Sequence, residues 1–377
     1  MNNKKLNTAL FIPGKTPYSE TFIQVHKNHL EGHVFCYYGK FENIKLENHK
    51  PLRTRFQGYC LKLKSKFFKK ETHSAWSTFV LQSLKKHKID RILIEYGTHA
   101  HGLLPVLKAS NIPAIVHFHG YDASITDVIK KCNAYKQVFL YASKVIAVSR
   151  VMEHALLSLG CPKDKLIYNV YGPRKDFEYV VPEYSKKQFL SVGRFTDKKA
   201  PYYTIMAFSK VVDKHPSAKL LMAGDGTLLS TCKNIVKQLK LENNVIFLGV
   251  INQQAYINLL KESLAFVQHS IVAENGDSEG TPLSILEASI AGLPVISTYH
   301  AGIPDVIEHN KTGLLSKEHD LETMGLNMLK LLDDPELAKQ LGQAGKEHVT
   351  NNFNMDLHIK NLDKILRNAT MPNAKIV

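Results

Sequence analysis

Cysteine is scarce in this chain of 377 residues. The five present (Cys36, Cys60, Cys132, Cys161 and Cys232) are scattered, with no CxxC pair and no Cys/His ligand spacing. That argues against a disulfide framework and against structural zinc, and fits a reducing compartment. The sequence has no apolar run of about 18 residues that could span a membrane, and MNNKKLNTALFIPG carries no secretory-leader pattern. A cytoplasmic protein is expected. There is no internal repeat and no low-complexity segment.

Acidic residues are also scarce, but only in the first half. Residues 1–180 hold 28 Lys and Arg against 13 Asp and Glu, whereas residues 181–377 hold 21 of each, so the net charge of +15 belongs to the first half. Much of it lies in LRTRFQGYCLKLKSKFFKK, where Arg53, Arg55, Lys62, Lys64, Lys66, Lys69 and Lys70 interleave with aromatics such as Phe67 and Phe68. Such a stretch suits an anionic membrane surface, where each nearby cation contributes about 1 kcal/mol. A solvated helix face would look the same. Nucleic acid is the weaker reading, because no nucleic-acid-binding motif accompanies the charge.

What is abundant is a strand-helix rhythm. TALFIPG, HVFCYY, DRILIEYG, AIVHFHG and KVIAVS read as strands between helical stretches; after an irregular segment with Gly172, Pro173 and Pro182 the rhythm restarts with QFLSVGRF, KLLMAGDG, NVIFLGVI, LAFVQHSIV, PVIST and TGLLS. Strands alternating with helices predict parallel sheets. The expected architecture is α/β, with two Rossmann-like domains at residues 1–180 and 181–350 facing across a cleft, and a terminal amphipathic helix and tail at 351–377. At 44% hydrophobic content the chain can fill two cores. A cleft between two rows of strand ends is the default binding site.

The second half crowds carboxylates into one place. In AENGDSEGTPLSILEASIAGLPV, Glu274, Asp277 and Glu279 precede an apolar run that contains Glu287. Thr281 as N-cap, Pro282 at the first helical position and Gly292 with Pro294 as a stop predict a helix of roughly ten residues between two strands. Ligands of such units sit at strand carboxyl ends against helix N-termini, which favour anions. Carboxylates there make sense if the ligand carries hydroxyl groups as well as phosphate. A sugar diphosphate has both. Nearby, SVGRFTDKKAP places Arg194 and Lys199 after a strand, where a guanidinium and an ammonium suit a diphosphate. AGDGT supplies a tight glycine turn whose plainest reading is a βα connection. FLGVIN ends a strand whose backbone could meet a base edge.

Taken together these pieces resemble the retaining family 4 glycosyltransferases of the GT-B fold. The matching residues are Gly193, Arg194 and Lys199; Gly224, Asp225 and Gly226; Phe247, Leu248 and Gly249; and Glu279 and Glu287 in the E-x7-E pattern of EGTPLSILEA, followed by AGLPVIST and AGIPDVIEHNKTGLL. The resemblance covers residues 188 to about 320, and AENGDSEGTPLSILEA is most similar to the branch that builds bacterial exopolysaccharide, capsule or lipopolysaccharide. It implies a nucleotide-sugar donor, with Glu279 near the reacting carbon, Glu287 on the ribose hydroxyls, and backbone N–H groups from Gly280, Thr281, Pro282 and Leu283 on hydroxyls or phosphate. It implies no cofactor and no metal.

In the first half the resemblance is patchier. VHFHGYDAS carries over His119 near the donor sugar and Asp122 as support for its loop; His117 is assigned to the opposite strand face and to the core. Ser149 lies at the next strand end. FIPGKTPYSETF has one glycine, Gly14, in place of the family's common pair, and its Ser19, Glu20 and Thr21 resemble a triplet of the polysaccharide branch. His99 and His101 stand at a strand end as acceptor-side candidates. The implied reaction moves a sugar with retention to a lipid-linked or saccharide acceptor, Arg194 and Lys199 stabilising the departing diphosphate. Front-face departure is preferred to a covalent intermediate. Competing readings are a nucleotide-sugar epimerase of the same shape and a non-enzymatic binder of anionic polymers.

Overall fold

The computed structural model describes residues 5–15, 20–40, 43–52 and 72–372. The basic and aromatic stretch 53–70, and Ser19, lie outside the described residues. The chain divides into two compact units. One comprises Met1–Val148, Met152–Asn169 and Ile359–Val377; the other comprises Ser149–Val151 and Val170–His358.

The first unit is built on a seven-stranded sheet: β1 (Asn7–Ile12), β2 (His33–Tyr38), β3 (Lys45–Leu46), β4 (Arg91–Glu95), β5 (Ala114–His117), β6 (Lys144–Ala147) and β7 (Leu166–Tyr168), in the order β3-β2-β1-β4-β5-β6-β7. All neighbours are parallel except β2 and β3. The second has β8 (Gln188–Val192), β9 (Lys219–Ala223), β10 (Val245–Gly249), β11 (Ala265–Val267), β12 (Val295–Thr298) and β13 (Gly313–Ser316), all parallel, in the order β10-β9-β8-β11-β12-β13. Both follow the doubly wound order in which the chain reverses direction beside the first strand. The central strands are short apolar runs because helices cover both faces: β5, β12 and β13 are buried at every residue, whereas edge strand β10 is buried only at Val245.

All eleven strands expected from the apolar runs are present. Two more were not foreseen: β3, a two-residue antiparallel edge, and β7, whose residues are only partly buried. LAFVQHSIV is a strand only over Ala265–Val267. From Gln268 to Ile271 the chain stays buried but leaves the ladder to begin the acidic loop.

Two expected boundaries need correction. The units divide between Asn169 and Val170, not at residue 180, and residues 351–377 are not a separate appendage. The helix Met355–Asn368 starts in the second unit and finishes in the first, where Leu362, Ile365, Leu366 and Ala369 join Leu10, Ile12, Ile23, Leu93, Ile115 and Ile146 in one core. Burying each such Leu or Ile is worth roughly 1.5–3 kcal/mol, enough to fix the return of the chain. Arg91 donates to the carbonyls of Leu366 and Arg367, closing the helix end.

Candidate functional site

In the second unit the elements beside the β8/β11 switch point carry the predicted residues. The loop after β8 is pressed onto the turn after β9. Phe195 N–H donates to the Asp225 carbonyl at 2.9 Å, Gly193 N–H to the Ala223 carbonyl at 2.9 Å, and Leu228 N–H to the Phe195 carbonyl at 3.0 Å. AGDGT is therefore more than a connection. At Gly224 (φ 135°) a Cβ would stand 1.9 Å from the Gly193 carbonyl oxygen, and at Gly226 (φ 153°) 2.5 Å from that of Phe195. Only glycine permits that approach. Gly193 itself lies against the Lys199 side chain, where a Cβ would meet Cδ at 3.0 Å. Gly249 (φ 66°) ends β10 facing open space, and its carbonyl accepts from Gly224 N–H at 2.7 Å.

Lys199 is turned inward. Ala200, in the left-handed region at φ 35°, redirects the chain into the helix Pro201–Lys214, whose Pro201 occupies the first turn. The Lys199 Nζ lies 3.0 Å from Glu279 Oε1 and 3.3 Å from Gln268 Oε1, with only 14% and 10% of the Lys199 and Glu279 side chains exposed. Burial lowers the Lys199 ammonium despite the raising effect of Glu279. Burial alone would raise the Glu279 carboxyl, but Lys199 and Lys198 hold it down to about 2. Glu279 is thus held as a carboxylate. Glu279 Oε1 has this ion contact but no aligned hydrogen bond among the described residues, which leaves a buried acceptor for a donor group. Arg194, by contrast, is exposed, and its guanidinium makes no hydrogen bond or ion pair among the described residues. It lines a recess with Gly193, Phe195, Lys199 and Gln268.

Each carboxylate of the crowded stretch except Glu274 has its own cation. Asp277 Oδ1 takes Lys198 Nζ at 3.0 Å, and the same ammonium reaches the Ser278 carbonyl at 3.2 Å. Glu287 Oε1 lies 3.6 Å from Arg174 Nη2. Burial pushes the Glu287 carboxyl up to about 7, with Arg174 opposing. Arg174 is held by Gln253 at 2.7 Å and stacks over Phe177 at 5.0 Å. Glu274 is exposed.

The helix after the loop is Leu283–Ile290, with Pro282 and not Thr281 in the cap position and no side-chain cap bond. Pro282 cannot donate, so of the four backbone positions expected to meet a ligand only Gly280, Thr281 and Leu283 carry an N–H. Thr281 and Gly280 are packed under Gly302, where a Cβ would meet Thr281 Oγ1 at 2.3 Å, the Gly280 carbonyl at 2.4 Å and Ser149 Cβ at 2.8 Å. Ser149 is 1% exposed in this contact.

The first unit places a different group at its own β1/β4 switch. Glu95, the last residue of β4, is fully buried: His26 Nδ1 lies 2.7 Å from Oε1, and His119 Nε2 2.7 Å and His117 Nδ1 3.5 Å from Oε2. Burial works to raise the Glu95 carboxyl, yet the charge of His26, the nearby His117 imidazole and the hydrogen bonds of His119 and His26 hold it well below the usual carboxylate range. His117 is not on the opposite face from His119. His119 lies two residues on, just past the end of β5, and the two rings are 4.4 Å apart. Burial drives His117 down to about 3. His26, Glu95 and His117 offer ligand atoms within 4.8 Å of one another. Contacts of 2.7 Å are hydrogen bonds, however, shorter than the roughly 3.4 Å between ligand atoms around a tetrahedral zinc.

Asp122 orders the turn that carries His119. Its Oδ1 accepts from His119 and Gly120 N–H at 3.0 Å each, and its Oδ2 from Gly97 N–H at 2.8 Å. Glu20 accepts from Tyr96 Oη at 2.8 Å. His99 is buried in the helix Gly97–Gly102, and desolvation lowers it to about 4; His101 is half-buried. At Gly14 a Cβ would meet nothing within 4 Å. Lys198, Gln268, His300, Glu318, Arg174, Glu95 and His26 had not been singled out from sequence. Only Lys198, beside Lys199 in DKK, stood next to a residue that had.

Residues 174–348 match the glycosyl transferases group 1 family. The chain is similar to the amylovoran biosynthesis glycosyltransferase AmsK of Erwinia amylovora, 29% identical over 295 residues, 76% of this chain and 72% of that protein. It is 28% identical over 256 residues to the putative colanic acid biosynthesis glycosyltransferase WcaL of Escherichia coli (strain K12), covering 66% of this chain and 63% of WcaL, just under two thirds of its length. In structure it is similar to Anabaena Alr3699/HepE, solved in complex with UDP and glucose, at TM-score 0.75 and 15% identity over 96% of this chain and all of that one. Residues 174–348 thus form a group 1 glycosyltransferase domain, within a chain that has the GT-B fold.

Proposed function

We propose that the protein is a retaining glycosyltransferase that moves a hexosyl group from a nucleotide-sugar donor, UDP-sugar favoured and GDP-sugar admissible, to a lipid-linked or saccharide acceptor in bacterial surface polysaccharide synthesis. The observation that carries this reading is the Lys199–Glu279 pair at the switch point of the second sheet, with Glu287 farther along the adjoining helix. An ammonium beside an exposed guanidinium suits the two phosphates, and the buried Glu279 carboxylate suits a sugar hydroxyl or the positive charge that develops at the reacting carbon. Glu287 suits the ribose hydroxyls. Arg194 and Lys199 neutralise the departing diphosphate, so no metal is required at that step, and the phosphate accepts the proton of the attacking hydroxyl on the same face. In the first unit His119, held by Glu95, and the turn ordered by Asp122 are the candidate ligand contacts. The basic residues between 53 and 70 bring the enzyme to the anionic inner face of the cytoplasmic membrane.

The similarity to amylovoran and colanic acid glycosyltransferases supports the polysaccharide setting, and the fold shared with a UDP-bound neighbour supports a nucleotide-sugar donor. The test is nucleotide release from a panel of UDP-, GDP- and ADP-sugars, with and without membrane lipid extract, by wild type and Glu279→Gln. Release from one donor, stimulated by lipid and lost in the variant, is expected. Absence of both release and nucleoside diphosphate binding would overturn the reading.

A further inference from the structure

One carboxylate ties down both ends of the acidic loop. Glu318, just beyond β13, accepts the Val272 N–H on Oε2 at 2.9 Å and lies 2.6 Å from His300 Nδ1 through Oε1. His300, just beyond β12 and 1% exposed, lies with its Nε2 3.1 Å from the backbone nitrogen of Glu279. Residues 272 and 279 bracket the loop, so Glu318 holds its entrance directly and its exit through the imidazole. The middle is held independently by Lys198 on Asp277 and the Ser278 carbonyl.

The chemistry of these contacts fixes the imidazole. A backbone N–H can only donate, so Nε2 must present its lone pair to Glu279. A carboxylate can only accept, so Nδ1 must carry the proton. Both neighbours demand the same tautomer. The chain turns into Pro282 three residues after Glu279, and the Glu279 carboxylate faces Lys199 at 3.0 Å. A backbone tie at residue 279 itself therefore sets where that carboxylate stands.

We propose that His300, locked by Glu318 as its Nδ1–H tautomer, is a positioning residue that holds Glu279 in place for glycosyl transfer. The inference rests on the role given to Glu279 in the proposed function. Loss of a partner that orients a metal ligand costs about 10- to 100-fold, and a loss of that order is expected for a partner that orients a carboxylate. Glu318→Gln is the sharper probe because both carboxylate oxygens act as acceptors. The amide NH2 must face either the Val272 N–H or the His300 Nδ1–H, and the second contact is relieved only by moving the imidazole proton to Nε2, where it opposes the Glu279 N–H.

The experiment measures kcat and KM for the active donor, binding of the bare nucleoside diphosphate, and imidazole 15N shifts on wild type, His300→Ala, His300→Gln and Glu318→Gln, with melting curves for folding. The expected result is an Nδ1–H signal for His300 in wild type, kcat reduced about 10- to 100-fold in His300→Ala with nucleotide binding retained, and partial recovery in His300→Gln, whose amide oxygen can accept from Glu279. Glu318→Gln is expected to lower kcat in the same direction and to perturb the His300 signal. Wild-type kcat in a folded His300→Ala, or an Nε2–H signal in wild type, would overturn the inference while leaving the proposed function standing. A wild type that neither turns over a donor nor binds a nucleotide would bring down the proposed function and this inference with it.

Discussion

The two sheets share a strand order, and each sets a buried carboxylate beside its switch point, yet the partners differ in kind. Glu95 is met by three imidazoles; Glu279 is met by Lys199, with Lys198 close by. The two lysines hold Glu279 low, so the second site sets a carboxylate against ammonium groups, an arrangement suited to a ligand that is itself charged. Imidazoles change state near neutrality, and burial has driven His117 down to about 3, so the first site sets a carboxylate held low among imidazoles, and its geometry depends on where their protons sit. The same topology thus holds a lysine-paired carboxylate in one unit and an imidazole-bound one in the other.

The comparison is broken most severely by removing one member of the lysine pair. Glu279→Gln and Lys199→Met are each expected to lower nucleotide release by about 100- to 1,000-fold, the loss typical of a group that stabilises transition-state charge. Each also strands a buried charge, at a cost of about 3–5 kcal/mol, whereas the double variant restores most of that stability. Melting temperatures would show the recovery and turnover would not. If the double variant melted as low as the single ones, Lys199 and Glu279 would not be acting as a pair.

The first unit should reveal itself through pH. His117 and His99 are lowered in the folded protein, to about 3 and about 4. Between about 6.5 and those values the unfolded chain binds protons that the folded chain refuses. Their stabilisation is therefore complete above about pH 6.5 and is lost as pH falls toward 4. Glu95, held low, adds a further loss below about pH 4.3. His269 of the second unit, lowered to about 4 mainly by burial, has the same sign. His117→Asn should flatten the fall of melting temperature between pH 6.5 and 4 without abolishing it. An unchanged slope would mean that His117 is protonated in the folded protein.

How far the sequence disclosed all this follows from the range of each interaction. The strands were legible because a buried parallel strand is a short apolar run whatever surrounds it, and E-x7-E was legible because both residues lie in one local unit. The partners were not. His26 and Glu95 are 69 residues apart, Arg174 and Glu287 are 113 apart, and nothing local distinguishes them from any other His or Arg. Lys198 could have been paired with Asp277 only by knowing that the chain after β11 returns past the loop after β8. The cap at Pro282 in place of Thr281 is a one-residue shift of the kind that packing decides. The boundary near residue 170 was hidden because Gly172, Pro173 and Pro182 mark an irregular segment, not the point at which its contacts change sides; Gly172, for instance, lies directly against Met355, where a Cβ would meet its Cα at 2.2 Å.

The smallest expected effect separates Glu287 from Glu279, two carboxylates on one loop-helix unit. Glu279 is held at about 2, whereas burial lifts Glu287 to about 7, so the two carboxyls change state in different pH ranges. If Glu287 receives ribose hydroxyls as a carboxylate, donor KM should rise by about two- to threefold between pH 7.5 and 6.5 with kcat unchanged, and Glu287→Gln should lose that dependence. The stability sign is the reverse of that for His117. A carboxyl raised on folding stabilises fully below about pH 4.3 and loses its contribution as pH climbs through 7, so Glu287→Gln should gain in melting temperature relative to wild type as pH rises from 5 to 8. Arg174→Met removes the charge that restrains the shift and should move the KM limb to higher pH. A limb that stayed in place in Arg174→Met would show that the 3.6 Å contact with Arg174 has no electrostatic hold on Glu287, and that burial alone sets its titration.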